Sequence, residues 1–147
     1  MRKMNPDEFT YARRVSFAET DLAGVMHFSN YYRLMEETEH AFLRSIGLGV
    51  VIEEADRTIS WPRVATSCEY RAPAHFDDEL ELGLVIAKMG DRSITYEIEF
   101  RRGGERIALG RSTAVCCEMA DGHFRPTAIP PHIRSKLEAG ARKNADE

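Results

Sequence analysis

Asp21 lies in a glycine-containing segment, Glu19-Thr20-Asp21-Leu22-Ala23-Gly24-Val25-Met26-His27-Phe28-Ser29-Asn30, that runs straight into an amphipathic stretch, Tyr31–Ile46. The N-terminus of a helix presents unpaired N–H donors and a partial positive charge. A carboxylate beside such an end could act as nucleophile or general base on a carbonyl held between the two. A thioester suits that geometry. The backbone N–H of Phe28 or Ser29 would bind the developing oxyanion, a contribution of about 2.7–4 kcal/mol for one donor. The same residues also describe an aspartate that bonds its own backbone in a turn, and spacing alone leaves both readings open.

Other chemistry finds little support in the chain. His27, His40, His75, His123 and His132 are scattered, with no pair at metal-ligand spacing on one helical face, so no metal is expected. Cys68, Cys116 and Cys117 form neither a disulfide framework nor a zinc-ligand pattern; they read as small strand residues in a reducing cytoplasm. There is no phosphate-cradling glycine loop, no His-Glu-x-x-His, no Gly-x-Ser-x-Gly and no dinucleotide fingerprint. A net charge of −4 argues against a generally basic nucleic-acid surface. Met1–Glu8 lacks the apolar core of a signal peptide, and no apolar run reaches the length of a membrane span. With 147 residues, 43% hydrophobic and 30% charged, the chain is expected to be one soluble domain, 1–147, with a core over about 10–135.

The elements that must position Asp21 follow from periodicity. Tyr31, Leu34, Met35, Thr38, Ala41, Phe42 and Ile46 recur at the spacing of a core-facing helical stripe, with Arg33, Glu36, Glu37, His40 and Arg44 on the other side. Ser29 or Asn30 is the expected N-cap, and Gly47 and Gly49 the stop. Tyr11–Ala18 alternates as a strand with Tyr11, Arg13, Val15 and Phe17 on one side. Val50–Ser60 reads as a short helical turn and a connection. Four further strands are expected: Arg63–Arg71, with Val64, Thr66, Cys68 and Tyr70 sharing a face, then Glu79–Met89, Ser93–Arg101 and Arg106–Met119. Gly90-Asp91, Gly103-Gly104 and Asp121-Gly122 supply the turns, Pro131–Ala141 a short C-terminal helix, and Arg142–Glu147 a frayed end. One strand, one long helix and then hairpin-joined strands make an α+β domain: a five-stranded antiparallel sheet wrapped around the helix. Two bare sheet edges predict a homodimer joined through an edge, and a tetramer of two such dimers, with a site between subunits.

The segment Arg14-Val15-Ser16-Phe17-Ala18-Glu19-Thr20-Asp21-Leu22-Ala23-Gly24-Val25-Met26-His27-Phe28-Ser29-Asn30-Tyr31, with Glu36 in the helix, resembles the signature of the hot-dog-fold acyl-CoA thioesterases, in particular the 4-hydroxybenzoyl-CoA thioesterase-like group. Glu69–Leu80 and the strand ending Val115–Met119, followed by Asp121-Gly122 and Arg125-Pro126, extend the similarity to about residues 10–135. The resemblance implies that Asp21 is the catalytic carboxylate and that the Phe28 N–H polarises the thioester carbonyl. It places His27 beside the acyl group, where it would orient substrate or water or simply pack, and Asn30 and Tyr31 among the positioning residues. It points to Lys88, Arg92, Ser93 and Arg125, with Arg111, for the coenzyme A phosphates. No cofactor is implied, because coenzyme A is part of the substrate.

A second branch of such enzymes carries its catalytic Glu on the helix. At about 100° per residue, Glu36 falls about 140° from Tyr31, off the buried stripe, and reads instead as a surface partner of Arg33 or His40. Two other activities fit the same fold. One is dehydration of a 3-hydroxyacyl thioester, for which His27-Phe28-Ser29 is a faint echo of the required motif; the other is non-catalytic acyl-CoA binding.

Overall fold

In a computed structural model, residues 7–145 are described, with side chains through residue 141. The elements are β1 (Phe9–Arg14), a 3-10 turn (Phe17–Glu19), α1 (Ser29–Ser45), β2 (Ile52–Glu53), β3 (Thr58–Ser60), β4 (Arg63–Tyr70), β5 (Glu79–Met89), β6 (Ser93–Arg102), β7 (Glu105–Val115), β8 (Cys117–Ala120), β9 (His123–Pro126) and α2 (Pro131–Ala145). The main sheet runs β1-β5-β6-β7-β4, and every pairing in it is antiparallel.

One face of this sheet carries the core. Leu82, Leu84 and Ile86 of β5 stand opposite Phe100, Ile98 and Tyr96 of β6, which stand opposite Ala108, Gly110 and Ser112 of β7. Helix α1 lies on that face because Tyr31, Leu34, Met35, Thr38, Phe42 and Leu43 are buried along one stripe. The small residues of β7 let the helix come close. A Cβ on Gly110 would stand 2.5 Å from the Met35 sulfur, so only glycine leaves room for that side chain as it is placed. The opposite face is polar. Thr95 bonds Thr113, Glu99 pairs with Arg106, and Arg101 pairs with Glu8 and Glu81.

Helix α1 ends as its glycines predict. Gly47 takes φ +77, its N–H donates to the Arg44 carbonyl, and the Leu48 N–H donates to Leu43. Its start differs from expectation. The N-cap is Phe28, in helical geometry with no side-chain cap, and neither Ser29 nor Asn30 fills that place.

Other boundaries differ for physical reasons. β1 stops at Arg14 because the Glu19 side chain accepts the Ser16 N–H and closes a 3-10 turn, which leaves Phe17 77% exposed and not on an inner face. Val50–Ser60 forms two short strands in place of a helical turn, and the expected long strand Arg106–Met119 breaks at Cys116, whose N–H donates to the Arg92 carbonyl. The detached half, β8, joins a second sheet ordered β2-β3-β8-β9. α2 continues to Ala145, past the expected end at Ala141, so four residues of the segment expected to fray are helical; 146 and 147 lie outside the described residues.

Both outer strands of the main sheet, β1 and β4, have one side unpaired among the described residues. β4 is the more open, with nearly every residue exposed.

Candidate active site

The Asp21 loop is a tight turn fixed at both ends. The Asp21 N–H donates to the Val25 carbonyl, and Gly24, at φ +83, donates back to the Asp21 carbonyl. Asp21 Oδ1 accepts the Ala23 N–H at 2.8 Å and the Val25 N–H at 3.4 Å. The turn reading of this residue is therefore correct as far as it goes. It occupies one carboxylate oxygen only; Oδ2 has no hydrogen-bond partner among the described residues. The loop is strapped to the β4–β5 connection, where the Met26 N–H meets the Ala74 carbonyl at 2.7 Å. Asp78 and Arg102 hold that connection in turn: Asp78 accepts the His75 N–H, and Arg102 donates to Asp78 and to the Pro73 carbonyl.

A cavity of about 360 Å³ opens between this loop, the start of α1 and the end of β4, and Asp21, Phe28, Tyr31, Tyr70 and Arg71 line it. The Phe28 N–H has no acceptor among the described residues, while its neighbours are satisfied. The Ser29 N–H meets His27 Nδ1 at 3.2 Å, Asn30 donates to the His27 carbonyl and Tyr31 to the Phe28 carbonyl. The Tyr31 ring packs edge-on against Tyr70 and tilted against Phe100. Burial pushes the Tyr70 hydroxyl up to about 12 and the neighbouring Cys68 thiol up to about 11, so both are neutral at physiological pH. The carboxylate in the cavity wall is then Asp21, with Arg71 beside it in no ion pair among the described residues.

His27 and Asn30 lie off the cavity wall. The His27 ring stacks on Phe28 at 4.5 Å, and its Nδ1 lies 2.8 Å from Ser29 Oγ, so it serves the helix start. The Asn30 amide donates to the Glu19 carbonyl at 2.8 Å, the same carbonyl that accepts the His27 N–H. Glu36 forms no ion pair with Arg33 or His40 and is exposed.

Sequence reasoning missed the brace beneath the loop. Arg13 grips Glu19 with two nitrogens, at 2.8 and 2.6 Å, and reaches Glu37 of α1 at 3.2 Å. The signal was present as an inward arginine on an otherwise apolar strand face. Burial disfavours the Glu19 charge, but hydrogen bonds from Arg13 and the Ser16 N–H outweigh it and hold the carboxyl below its usual range. A lowered folded pKa stabilises fully above the unfolded value, about 4.3, and that contribution is lost as pH falls through the lower folded value. Thermal melts of wild type and Glu19→Gln are therefore expected to differ at pH 7 and to converge below pH about 4. An undiminished gap at pH 3 would show that the brace does not act through charge.

The expected coenzyme A residues lie elsewhere. Lys88, Arg92 and Ser93 sit at the β5–β6 hairpin, and Arg125 on β9 stands opposite Glu118. Lys88, Arg92 and Arg125 are exposed and in no ion pair among the described residues. Arg111 is directed to the polar outer face, 3.6 Å from Glu97. Asp21 is bound to the other end of the sheet, roughly 30 Å away along the eleven residues of β5. A larger cavity, about 510 Å³, is lined by Arg13, Arg14, Glu79, Glu81 and Arg101, whose charges already pair with one another or with Glu19. Among the described residues no group of three or more His, Cys, Asp or Glu is placed to hold a metal.

An antiparallel sheet curled over one long helix, which enters the sheet face from a tight loop, defines the hot-dog class of thioester enzymes. Residues 15–137 match the thioesterase-like superfamily, and the chain belongs to that family of acyl-CoA thioester hydrolases. It is 29% identical over 126 residues to the 1,4-dihydroxy-2-naphthoyl-CoA hydrolase of Synechocystis, covering 83% of this chain and 90% of that one. The 1,4-dihydroxy-2-naphthoyl-CoA hydrolase of Prochlorococcus marinus strain MIT 9313 is 32% identical over 106 residues, 67% of this chain and 70% of its own. Among solved structures, a gentisyl-coenzyme A thioesterase superposes with a TM-score of 0.77 at 31% identity, over 88% of this chain and 99% of that one.

Proposed function

We propose that this chain hydrolyses an acyl-CoA thioester with Asp21 as the reacting carboxylate and the Phe28 N–H as oxyanion donor. One observation carries the reading: a carboxylate with one free oxygen and an unpartnered N–H at a helix start line the same cavity. The acyl carbonyl accepts from Phe28, and the positive end of α1 adds to the field. As general base, Asp21 takes a proton from water, the hydroxyl adds to the carbonyl carbon, the C–S bond breaks and the thiolate leaves with the proton. As nucleophile, Asp21 adds to the carbonyl carbon, the C–S bond breaks as the thiolate leaves and an anhydride forms, and water then opens the anhydride to the free acid and Asp21, its proton passing to the thiolate. The relatives' dihydroxyaryl thioesters make aryl-CoAs the first compounds to try. A thiol-release assay over short, long, branched and aryl acyl-CoAs tests the reaction, and silence on all of them would remove it.

The separation of Asp21 from Lys88, Arg92, Ser93 and Arg125 is what supports a homodimer. Two β4 edges pairing antiparallel about a two-fold axis would bring the Asp21 end of each copy beside the cationic end of its partner. The phosphates of coenzyme A then rest on the second copy, and a tetramer would be two such dimers. Complementation tests this arrangement. Asp21→Asn and an Arg92→Glu/Arg125→Glu variant, each weak alone, should recover about a quarter of wild-type activity when mixed and re-annealed, since half the dimers are mixed and each holds one intact site. No recovery would place both groups within one chain.

A further inference from the structure

Tyr70 lines the same cavity as Asp21 and Phe28, and it is the last residue of β4. A fault earlier in that strand sets where its ring points. The register slips between Arg63 and Ala65, which turns Val64 out, 61% exposed, and sets Thr66, Cys68 and Tyr70 opposite Ser112, Gly110 and Ala108 of β7. The Tyr70 ring then lies edge-on against Tyr31 of α1, centroids 4.8 Å apart. Its hydroxyl is carried in this way to the start of the helix.

That hydroxyl is loosely held. It donates to the Phe28 carbonyl at 3.4 Å, well beyond the roughly 2.8 Å usual for such a bond. The same carbonyl already accepts the Tyr31 N–H at 3.3 Å. The other neighbour of the hydroxyl is the Cys68 thiol, and sulfur is a weak acceptor. Nearby donors are better occupied. The Ser29 N–H is spent on His27 Nδ1 and the Asn30 N–H on the His27 carbonyl, while the buried Tyr31 hydroxyl is engaged by the Ala74 N–H. The Phe28 N–H and the Tyr70 O–H thus stand beside one residue, neither committed to a strong acceptor among the described residues.

Negative charge appears at two places in thioester hydrolysis, and the acidity of the phenol chooses between them. Burial pushes the Tyr70 hydroxyl up to about 12, whereas a thiol ordinarily titrates near about 8.5. So weak an acid does not surrender its proton to a leaving thiolate. The alkoxide of a tetrahedral adduct is far more basic, and preorganised donors act most strongly where such charge develops. Bonds of this kind are often long before substrate binds and tighten around the transition state.

We propose that the Tyr70 hydroxyl is a second oxyanion donor, acting with the Phe28 N–H on the carbonyl oxygen of the thioester. It leaves the Phe28 carbonyl, which retains the Tyr31 N–H, and donates to the oxygen as its charge builds, keeping its own proton throughout. The proposal rests on the hydrolase reading above, and its test separates the two. In Tyr70→Phe, which keeps the ring and its packing on Tyr31, kcat on benzoyl-CoA or the best substrate of the thiol-release panel is expected to fall about 10²-fold. KM should stay within about threefold, and the melting temperature should match wild type. Calorimetry reads the same donor without turnover. The trifluoroacetonyl thioether of coenzyme A carries a ketone that becomes a tetrahedral adduct, and the trifluoropropyl thioether lacks the oxygen. Tyr70→Phe should bind the first at least about 10-fold more weakly and the second as wild type does. An unchanged kcat, or equal weakening of both thioethers, overturns the donor and leaves the hydrolase standing. If no acyl-CoA releases thiol, the hydrolase reading fails, and unchanged affinity for the ketone then overturns the donor as well.

Discussion

Asp21→Asn is expected to lower kcat on any acyl-CoA the protein hydrolyses by about 10²–10⁴-fold, with KM changed far less. The substitution is a clean one. An asparagine Oδ1 can still accept the Ala23 and Val25 N–H groups, so the turn that fixes the loop survives. What disappears is the charge and basicity of the second oxygen. Circular dichroism and melting temperature should match wild type, which places the loss in chemistry and not in folding. A fully active variant would refute the role of Asp21 even with the reaction confirmed. Single turnover in ¹⁸O-labelled water then bears on the route. Label in Asp21 marks an anhydride opened at the aspartyl carbon, and label in the product acid alone shows that water added at the acyl carbon.

The second large effect concerns a main-chain atom. Phe28→Pro removes the N–H proposed to bind the oxyanion, and the local backbone accepts proline. Phe28 has φ −56, close to the proline value, and follows the residue whose carbonyl accepts the Asn30 N–H, the leading position of a turn. Proline at a helix start forfeits no internal hydrogen bond. The expected loss is about 10²–10³-fold in kcat, the size measured for deletion of one oxyanion donor. Phe28→Ala keeps the N–H and removes a ring that is 64% exposed, so it should stay within a few-fold of wild type. If both variants lost activity equally, the ring and not the main chain would be the working part.

Much of this architecture is legible in the residues, because α1 and the main-sheet strands are long enough for periodicity to speak. The stripe Tyr31 to Phe42 and the alternation of Ile94 to Phe100 name their buried faces directly. The second sheet was hidden because strands of two to four residues carry no readable period. One of its two four-residue strands, β8, was masked further, since Val115, Cys117 and Met119 continue the alternation of β7 across the break. Arg63 and Val64 exchanged faces through a bulge, and a bulge has no side-chain signature.

At the site, Asp21 and Phe28 were legible as neighbours, and both line the 360 Å³ cavity. His27 and Asn30 were expected beside the substrate but are occupied by the helix start and by the Glu19 carbonyl, contacts that spacing cannot distinguish from substrate contacts. The residues expected for the coenzyme A phosphates, Lys88, Arg92, Ser93 and Arg125, lie at the β5–β6 hairpin and on β9. Strand direction, followed hairpin by hairpin from Asp21 through β5, would have put Lys88 and Arg92 at the far end. A second copy paired through β4 would close that separation.

The close approach of Met35 to Gly110 ties distant stretches of chain together. The groups proposed for bond breaking sit in the loop before α1, whereas the depth at which that helix rests is set on β7, a strand in the middle of the scaffold. One exchange at position 110 would displace the Met35 side chain and with it the seat of α1, the helix whose start carries the Phe28 N–H. A change in the middle of the sheet would therefore be felt at the loop proposed for the reaction, far from it in sequence.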